Sequence, residues 1–165
     1  MAEYHLFWRG PFSQWHTSPF KLNDISFSCA EQYMMYQKAM LFGDNDTAEA
    51  IIQTSNPKTH KSLGRKVKGF GDKLWEMHRE RIVYEGNFAK FTQNPELFNI
   101  LMSTGEKILV EANPVDTIWG IGLSEDNPDA LIPAKWKGQN LLGKVLTQVR
   151  DDLKNIIVKR ELTPE

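Results

Sequence analysis

Apolar positions along the chain change rhythm at residue 28. Before it, between Tyr4 and Phe27, aromatic residues alternate with turn formers. The stretches around Leu6-Phe7-Trp8, Phe20-Lys21-Leu22 and Ile25-Ser26-Phe27 read as short strands, with Asn23-Asp24 as the turn between the last two. This predicts a small hairpin or irregular cap, not a large sheet. After it the spacing is helical. Ser28 to Gly43 is apolar on nearly every side, which argues for burial, because a surface helix shows one polar face. Ser28-x-x-Glu31 matches a capping box, and Gly43 suits the position just past a helix end. Asp44 or Asp46 then caps a short helix through Ile51-Ile52. Asn56-Pro57 starts a third, running past Leu63 and Arg65. After Gly69-Phe70-Gly71, Asp72 caps a longer helix from Lys73 to about Gln93, with Gly86 an unfavourable interior residue costing about 1 kcal/mol against Ala. Asn94-Pro95 repeats the Asn-Pro start, and Gly105 ends that helix after Ser103.

Ile108 to Ala112 reads as a short strand. Asn113 to Ala134, punctuated by Pro114, Gly120, Gly122, Pro128 and Pro133, reads as a long loop of the kind that often carries function. The last helix, about Asn140 to Val158, has Leu142, Leu146, Val149 and Leu153 at helical spacing. There are no repeats, linkers or low-complexity segments. The pattern predicts a mainly α, single-domain protein over residues 1–165, with a few short strands near the N-terminus and around 107–112.

Two charged residues interrupt the apolar helix, and they change the picture. Seven residues turn a helix through roughly 700°, about 20° short of two turns, so Glu31 and Lys38 share one stripe. They are too far apart for direct contact within one helix, and a buried charge is costly unless paired or used. A ligand between them fits the spacing. Against this stand two plainer readings: Glu31 as a capping-box glutamate, and Lys38 as a side chain that buries its stem and exposes its amine.

Composition narrows the field. The 165 residues include 20 basic and 21 acidic ones, a balance unlike the basic footprint of a dedicated nucleic-acid binder. Cys29 is the single cysteine, so no internal disulfide is expected, nor a cysteine-based zinc site. The four histidines show no ligand spacing. No metal and no cofactor are expected. No signal peptide or bilayer-spanning run is read, which places the expected setting in the cytoplasm.

A second cluster runs from Glu111 through Asp116 and Trp119 to Gly120 and Gly122. Carboxylates there can stabilise a cationic transition state, Trp119 can stack on a ring, and Gly120 lets the backbone approach a ligand. The structural alternatives are an Asx turn at Asp116 and a core plug at Trp119. Arg65 and the helix start at Asn140 are candidates for phosphate, the latter because a helix start is a ready anion site. Trp75 reads as core, and Lys90 as a surface position beside a buried Phe91.

In order along the chain, Phe7-Trp8, Pro11-Phe12-Ser13, Ala30-Glu31-Gln32-Tyr33, Lys38-Ala39, Leu41-Phe42-Gly43-Asp44, Leu63-Gly64-Arg65, Trp75, Ala89-Lys90-Phe91, Leu109-Val110-Glu111-Ala112, Asp116-x-x-Trp119-Gly120-x-Gly122 and Gly138-x-Asn140-x-Leu142-Gly143 resemble the NADAR (YbiA-like) family. The resemblance covers nearly the whole chain. It implies a mainly α fold and an N-glycosidase that cleaves the bond between a ribosyl carbon and a base or amine nitrogen. Substrates described for the family are phosphoribosylated riboflavin-pathway intermediates and ADP-ribose attached to guanine in nucleic acid. It further implies that Glu31, Lys38, Trp75, Glu111, Asp116 and Trp119 line the active site. Glu31, Lys38, Asp116 and Glu111 are then the catalytic candidates. Trp8, Ser13, Arg65, Trp75, Trp119, Gly120 and Asn140 are the substrate-binding ones. The expected partner is a ribosylated nucleotide or ADP-ribosylated guanine in nucleic acid, with no membrane and no obligate protein. The competing reading is a non-catalytic ADP-ribose or nucleotide-binding module. One departure from the family pattern is Ser13-Gln14-Trp15, where Ser-Asn-Phe is usual.

Overall fold

In the computed structural model, which describes residues 2–162, the chain is mainly helical. Strand β1 (Tyr4–Phe7) is followed by the antiparallel hairpin β2 (Phe20–Leu22) and β3 (Ile25–Phe27). Then come helices α1 (Ala30–Leu41), α2 (Asn45–Ile52), α3 (Pro57–Gly64), α4 (Asp72–Gln93) and α5 (Pro95–Ser103), strand β4 (Ile108–Glu111) and helix α6 (Leu141–Leu162). The chain divides into two units, one of Ser13–Phe98, the other of the segment up to Phe12 together with that from Asn99 onward.

In the Ser13–Phe98 unit, α1 packs against α2, α3 and α4. That is why it reads as apolar all round: Ala30, Tyr33, Met34, Met35 and Ala39 are all buried. Two glycines let its neighbours close in. A Cβ on Gly64 would stand 2.0 Å from the Met35 sulfur, and one on Gly86 2.7 Å from Cδ1 of Tyr33. Gly86 is therefore a packing requirement, which outweighs its poor helix propensity. The helix ends follow the local signals. Gly43, at φ +73°, and Asp44 return their N–H groups to the Met40 and Ala39 carbonyls, closing α1 with a Schellman motif. Asp44 and Asn56 cap α2 and α3.

The start of α1 departs from the expected capping box. Cys29, not Ser28, holds the cap position and makes no side-chain cap. The residue that closes this end is Gln32: its Oε1 accepts from the Ser28 N–H (2.7 Å) and hydroxyl (3.0 Å), while its Nε2 donates to the Ile51 and Thr54 carbonyls (3.0 Å each). A carboxamide both accepts and donates, so it ties the helix start to the end of α2, which a carboxylate cannot do. Lys90 also departs from expectation: on α4 it is completely buried.

In the other unit, β1 and β4 pair in parallel, from Tyr4 opposite Ile108 to Phe7 opposite Glu111. Val110, Ala112, Ile121, Leu123 and Ala130 form a core against which Tyr4, Leu6, Ile108 and Trp136 pack. Helix α6 packs on β4. The long loop after β4 contains two short 3-10 turns, Pro128–Leu131 and Pro133–Lys135. Among the described residues, no helix is long and apolar enough to cross a membrane.

Candidate active site

Glu31 occupies the first turn of α1, where the positive end of the helix dipole favours a carboxylate, and it is buried. The Ser28 N–H, which the sequence pattern assigned to Glu31, goes instead to Gln32 Oε1. Lys38 lies two turns along the same stripe and is half-buried. Its Nζ stands 4.6 Å from the centroid of Phe70 and 5.6 Å from that of Trp75. Desolvation pulls the Lys38 pKa below the ordinary lysine value, Arg65 adds to the fall, and the charges of Glu31 and Asp72 oppose it. Burial wins, so the amine carries more of its nucleophilic neutral form than a surface lysine would.

The walls around this amine are fixed locally. Asp44 Oδ1 accepts from the Thr47 N–H (3.1 Å), capping α2, and Oδ2 accepts from the Lys68 N–H (2.9 Å). That second bond anchors the turn carrying Phe70, whose ring also meets Phe42 edge-on at 5.3 Å. Trp75 is buried with its ring toward the Lys38 ammonium. Arg65 is exposed at the C-terminal end of α3.

The Ser13–His16 turn lies against the start of α1. Its Gln14 carbonyl accepts the Glu31 N–H at 3.0 Å. Ser13, a predicted substrate contact, uses its hydroxyl to accept from the Trp15 N–H (3.2 Å) and its carbonyl to accept from Lys90 Nζ (3.0 Å). Burial holds the Lys90 pKa far below the usual value of 10.5, at about 7. Between those values the unfolded chain binds a proton on this lysine that the folded chain does not, so stability rises with pH across that window. Lys90→Met lacks this contribution. Thermal melts of both proteins at about pH 6 and about pH 9.5 should show the wild type gaining on the variant as pH rises. A gap independent of pH would contradict the titration.

The loop after β4, in the other unit, orders itself around two side chains. Asn113 Oδ1 accepts from the Val115 (2.9 Å) and Asp116 (3.1 Å) N–H groups. Asp116 Oδ1 accepts from the Ile118 (2.9 Å) and Trp119 (2.8 Å) N–H groups, so the Asx-turn role holds for Asp116. Trp119 is half-buried. Gly120 is buried where a Cβ would lie 3.0 Å from the Asp116 and Glu111 carbonyl oxygens, so this glycine serves the loop's own close packing. Asn140 is buried at φ +55°, and both ends of its carboxamide bond the β4 backbone: Oδ1 accepts from the Glu111 N–H (2.9 Å) and Nδ2 donates to the Leu109 carbonyl (3.1 Å). Its carboxamide is thus a brace for the strand, at the helix start expected to take a phosphate. Trp8 is exposed, with the Arg9 guanidinium 5.0 Å from its ring centroid.

Sequence reasoning passed over Asn87 and read Lys90 as a surface position. The signal was present: both continue the buried stripe of α4 through Trp75, Ile82, Val83 and Gly86, where a polar residue calls for a reason.

Residues 6–154 match the family model described as the NADAR domain. The chain is 47% identical over 146 residues to an N-glycosidase of Acanthamoeba polyphaga mimivirus, covering 86% of each. It is 31% identical over 144 residues to the N-glycosidase YbiA of Escherichia coli (strain K12), covering 87% of this chain and 81% of that one. The NMR structure of the E. coli protein YbiA aligns with a TM-score of 0.79 at 27% identity, covering 100% of this chain and 92% of that chain.

Proposed function

The chain belongs to the NADAR domain family, and on that premise we propose that it is an N-glycosidase acting on a bond between a phosphoribosyl or ADP-ribosyl group and a base or amine. Its substrate class covers ribosylated intermediates of riboflavin biosynthesis and ADP-ribosylated guanine, and its setting is the cytoplasm. The observation that carries the reading is the Lys38 amine, half-buried between two aromatic faces on the stripe it shares with buried Glu31, with its protonation disfavoured by that burial.

In this reading the neutral Lys38 amine attacks C1′ of the ribose, forming an N–C1′ bond as the bond from C1′ to the base breaks. The departing nitrogen takes up a proton, and the attacking amine gives one up. Glu31 stabilises the positive charge that develops at C1′ and accepts the amine's proton. The glycosylamine opens to a Schiff base between Lys38 and the sugar, and water hydrolyses it, releasing the sugar with its 5′-phosphate or ADP group still attached and restoring the lysine. Glu111, Asp116 and Trp119 are assigned by family resemblance alone, the carboxylates to electrostatic support and the indole to stacking.

Borohydride trapping tests the covalent step. The protein is incubated with ADP-ribosylated guanosine and, separately, with the phosphoribosylaminopyrimidine of riboflavin biosynthesis, then reduced and digested. A reduced ribosyl adduct on the Lys38 peptide is expected. Turnover without that adduct sinks the lysine nucleophile. Tight binding of both compounds with no turnover of either would leave the binding-module reading in its place.

A further inference from the structure

At the start of α1 the cap position makes no side-chain bond, and Gln32 bonds Ser28, before the helix, rather than the helix's own first N–H groups. Cys29 holds that position, and the first N–H groups of a helix need partners. For Glu31 the partner comes from outside the helix, as the Gln14 carbonyl at 3.0 Å. The catalytic carboxylate is thus attached to α1 at a residue whose backbone is held by the Ser13–His16 turn.

That turn is in turn held from α4. Gln14 and Asn87 exchange both carboxamide bonds, Gln14 Nε2 donating to Asn87 Oδ1 (3.1 Å) and Asn87 Nδ2 donating to Gln14 Oε1 (3.2 Å), while Asn87 Nδ2 also donates to the Val83 carbonyl (2.8 Å). One helical turn further along, Lys90 Nζ donates to the Ser13 carbonyl (3.0 Å), which also accepts the His16 N–H (3.2 Å). Asn87 and Lys90 are both wholly buried. A buried lysine and a buried asparagine on one stripe of a helix are expensive, and neither touches the Glu31–Lys38 stripe through any bond described. Both converge on a two-residue segment whose next bond goes to Glu31. The departure from the family pattern at Gln14 fits this arrangement, since its side chain is turned to Asn87.

We propose that Lys90 and Asn87 form a clamp on Ser13-Gln14 and act as positioning residues, setting where Glu31 stands in the first turn of α1; this rests on the reading of Glu31 as the catalytic carboxylate. Loss of the clamp frees the Gln14 carbonyl to draw back, the first turn loses its external cap, and the carboxylate shifts. A misplacement of about 1 Å at a reacting group costs on the order of a hundredfold in rate. The titratable groups facing Lys90 are the Cys29 thiol, before α1, and His16, whose own pKa is lowered by burial and by the Lys90 charge. Lys90 donates to Ser13 in either protonation state, but the charged ammonium donates the stronger bond.

The test is a mutant cycle on the full chain with the two substrates named above. Lys90→Met removes one arm of the clamp. Gln14→Leu, at a half-buried loop position, removes the other and keeps the test available should Lys90→Met fail to fold. Each should lower kcat by about 10- to 100-fold while KM moves less than about threefold. In a Glu31→Gln background each should cost less than about threefold more, because a residue acting through Glu31 has nothing left to position. A merely structural role predicts the same loss in both backgrounds, and that result overturns the clamp. So does full kcat in folded Lys90→Met and Gln14→Leu while Glu31→Gln is impaired. Unimpaired Glu31→Gln overturns the catalytic assignment itself, and the clamp with it.

Discussion

Lys38→Met should reduce turnover by roughly three orders of magnitude or more, the scale on which removal of a nucleophile acts, while the folded protein still binds ribosylated ligand. Lys38→Arg should be equally inactive. A guanidinium keeps its proton at any working pH and cannot supply the neutral lone pair that attack on C1′ requires. Retained activity in Lys38→Arg would leave an electrostatic role as the only one available to this position. The pH profile gives a second, independent sign. The amine is active when deprotonated, so kcat/KM should climb as pH rises through the Lys38 pKa, with the limb lying below the ordinary lysine value of 10.5. Neighbours then move that limb in opposite directions. Arg65 disfavours the charged amine, so Arg65→Gln should raise the pKa and carry the limb to higher pH. Asp72 favours the charged amine, so Asp72→Asn should carry it lower. Both charges are at exposed positions, so the shifts should shrink as salt is added, whereas the desolvation that sets the main displacement should not. Limbs that move together, or not at all, would place a different titrating group in control.

What could be read in the sequence depended on how local the determinant is. Asn56-Pro57, Gly43 and the Asn23-Asp24 turn each fix a backbone within a few residues, and each behaves as its chemistry requires. The Glu31–Lys38 stripe was legible for the same reason, since helical geometry alone aligns residues seven apart. The capping box failed although Ser28-x-x-Glu31 matches its pattern, because Gln32 sits beside Glu31 and can satisfy Ser28 and the end of α2 together. Such a contest is decided by what packs against the helix, not by spacing. The parallel pairing of β1 with β4 joins segments about a hundred residues apart by register, and no local signal encodes it. Lys90 was misplaced by residue type alone: lysine is almost never fully buried, and only its position on the α4 stripe argued otherwise.

Gly143→Ala should destabilise the protein by about 3 kcal/mol or more, against the direction that helix propensity predicts. In a helix interior alanine is ordinarily favoured over glycine by about 1 kcal/mol. Gly143 lies in the first turn of α6, yet a Cβ there would stand 2.1 Å from the Leu109 carbonyl oxygen, 2.3 Å from Asn140 Oδ1 and 2.5 Å from Asn140 Nδ2. Nothing flexible is in the way. The Leu109 oxygen belongs to the backbone of β4, and the Asn140 carboxamide is pinned at both ends to that strand. The methyl group must therefore push α6 off β4 or expel Asn140 from its two bonds. Each bond is worth about 1 kcal/mol net, and desolvation of the buried Leu109 carbonyl, parted from the carboxamide, adds a penalty of similar size or larger. Urea denaturation with an unchanged m-value would measure the loss. Lys144→Ala, one residue along on the exposed side of α6, is the control and should stay within about 0.5 kcal/mol. If Gly143→Ala were as stable as wild type, β4 and α6 would not approach as closely as described, and the brace that Asn140 gives to Glu111 would lose its basis. Because the same brace fixes the end of β4, the variant separates two sources of harm at Glu111: a loss of activity that tracks the loss of stability marks the residue as structural, and one that persists at a pH and temperature where the variant is fully folded marks its position as functional.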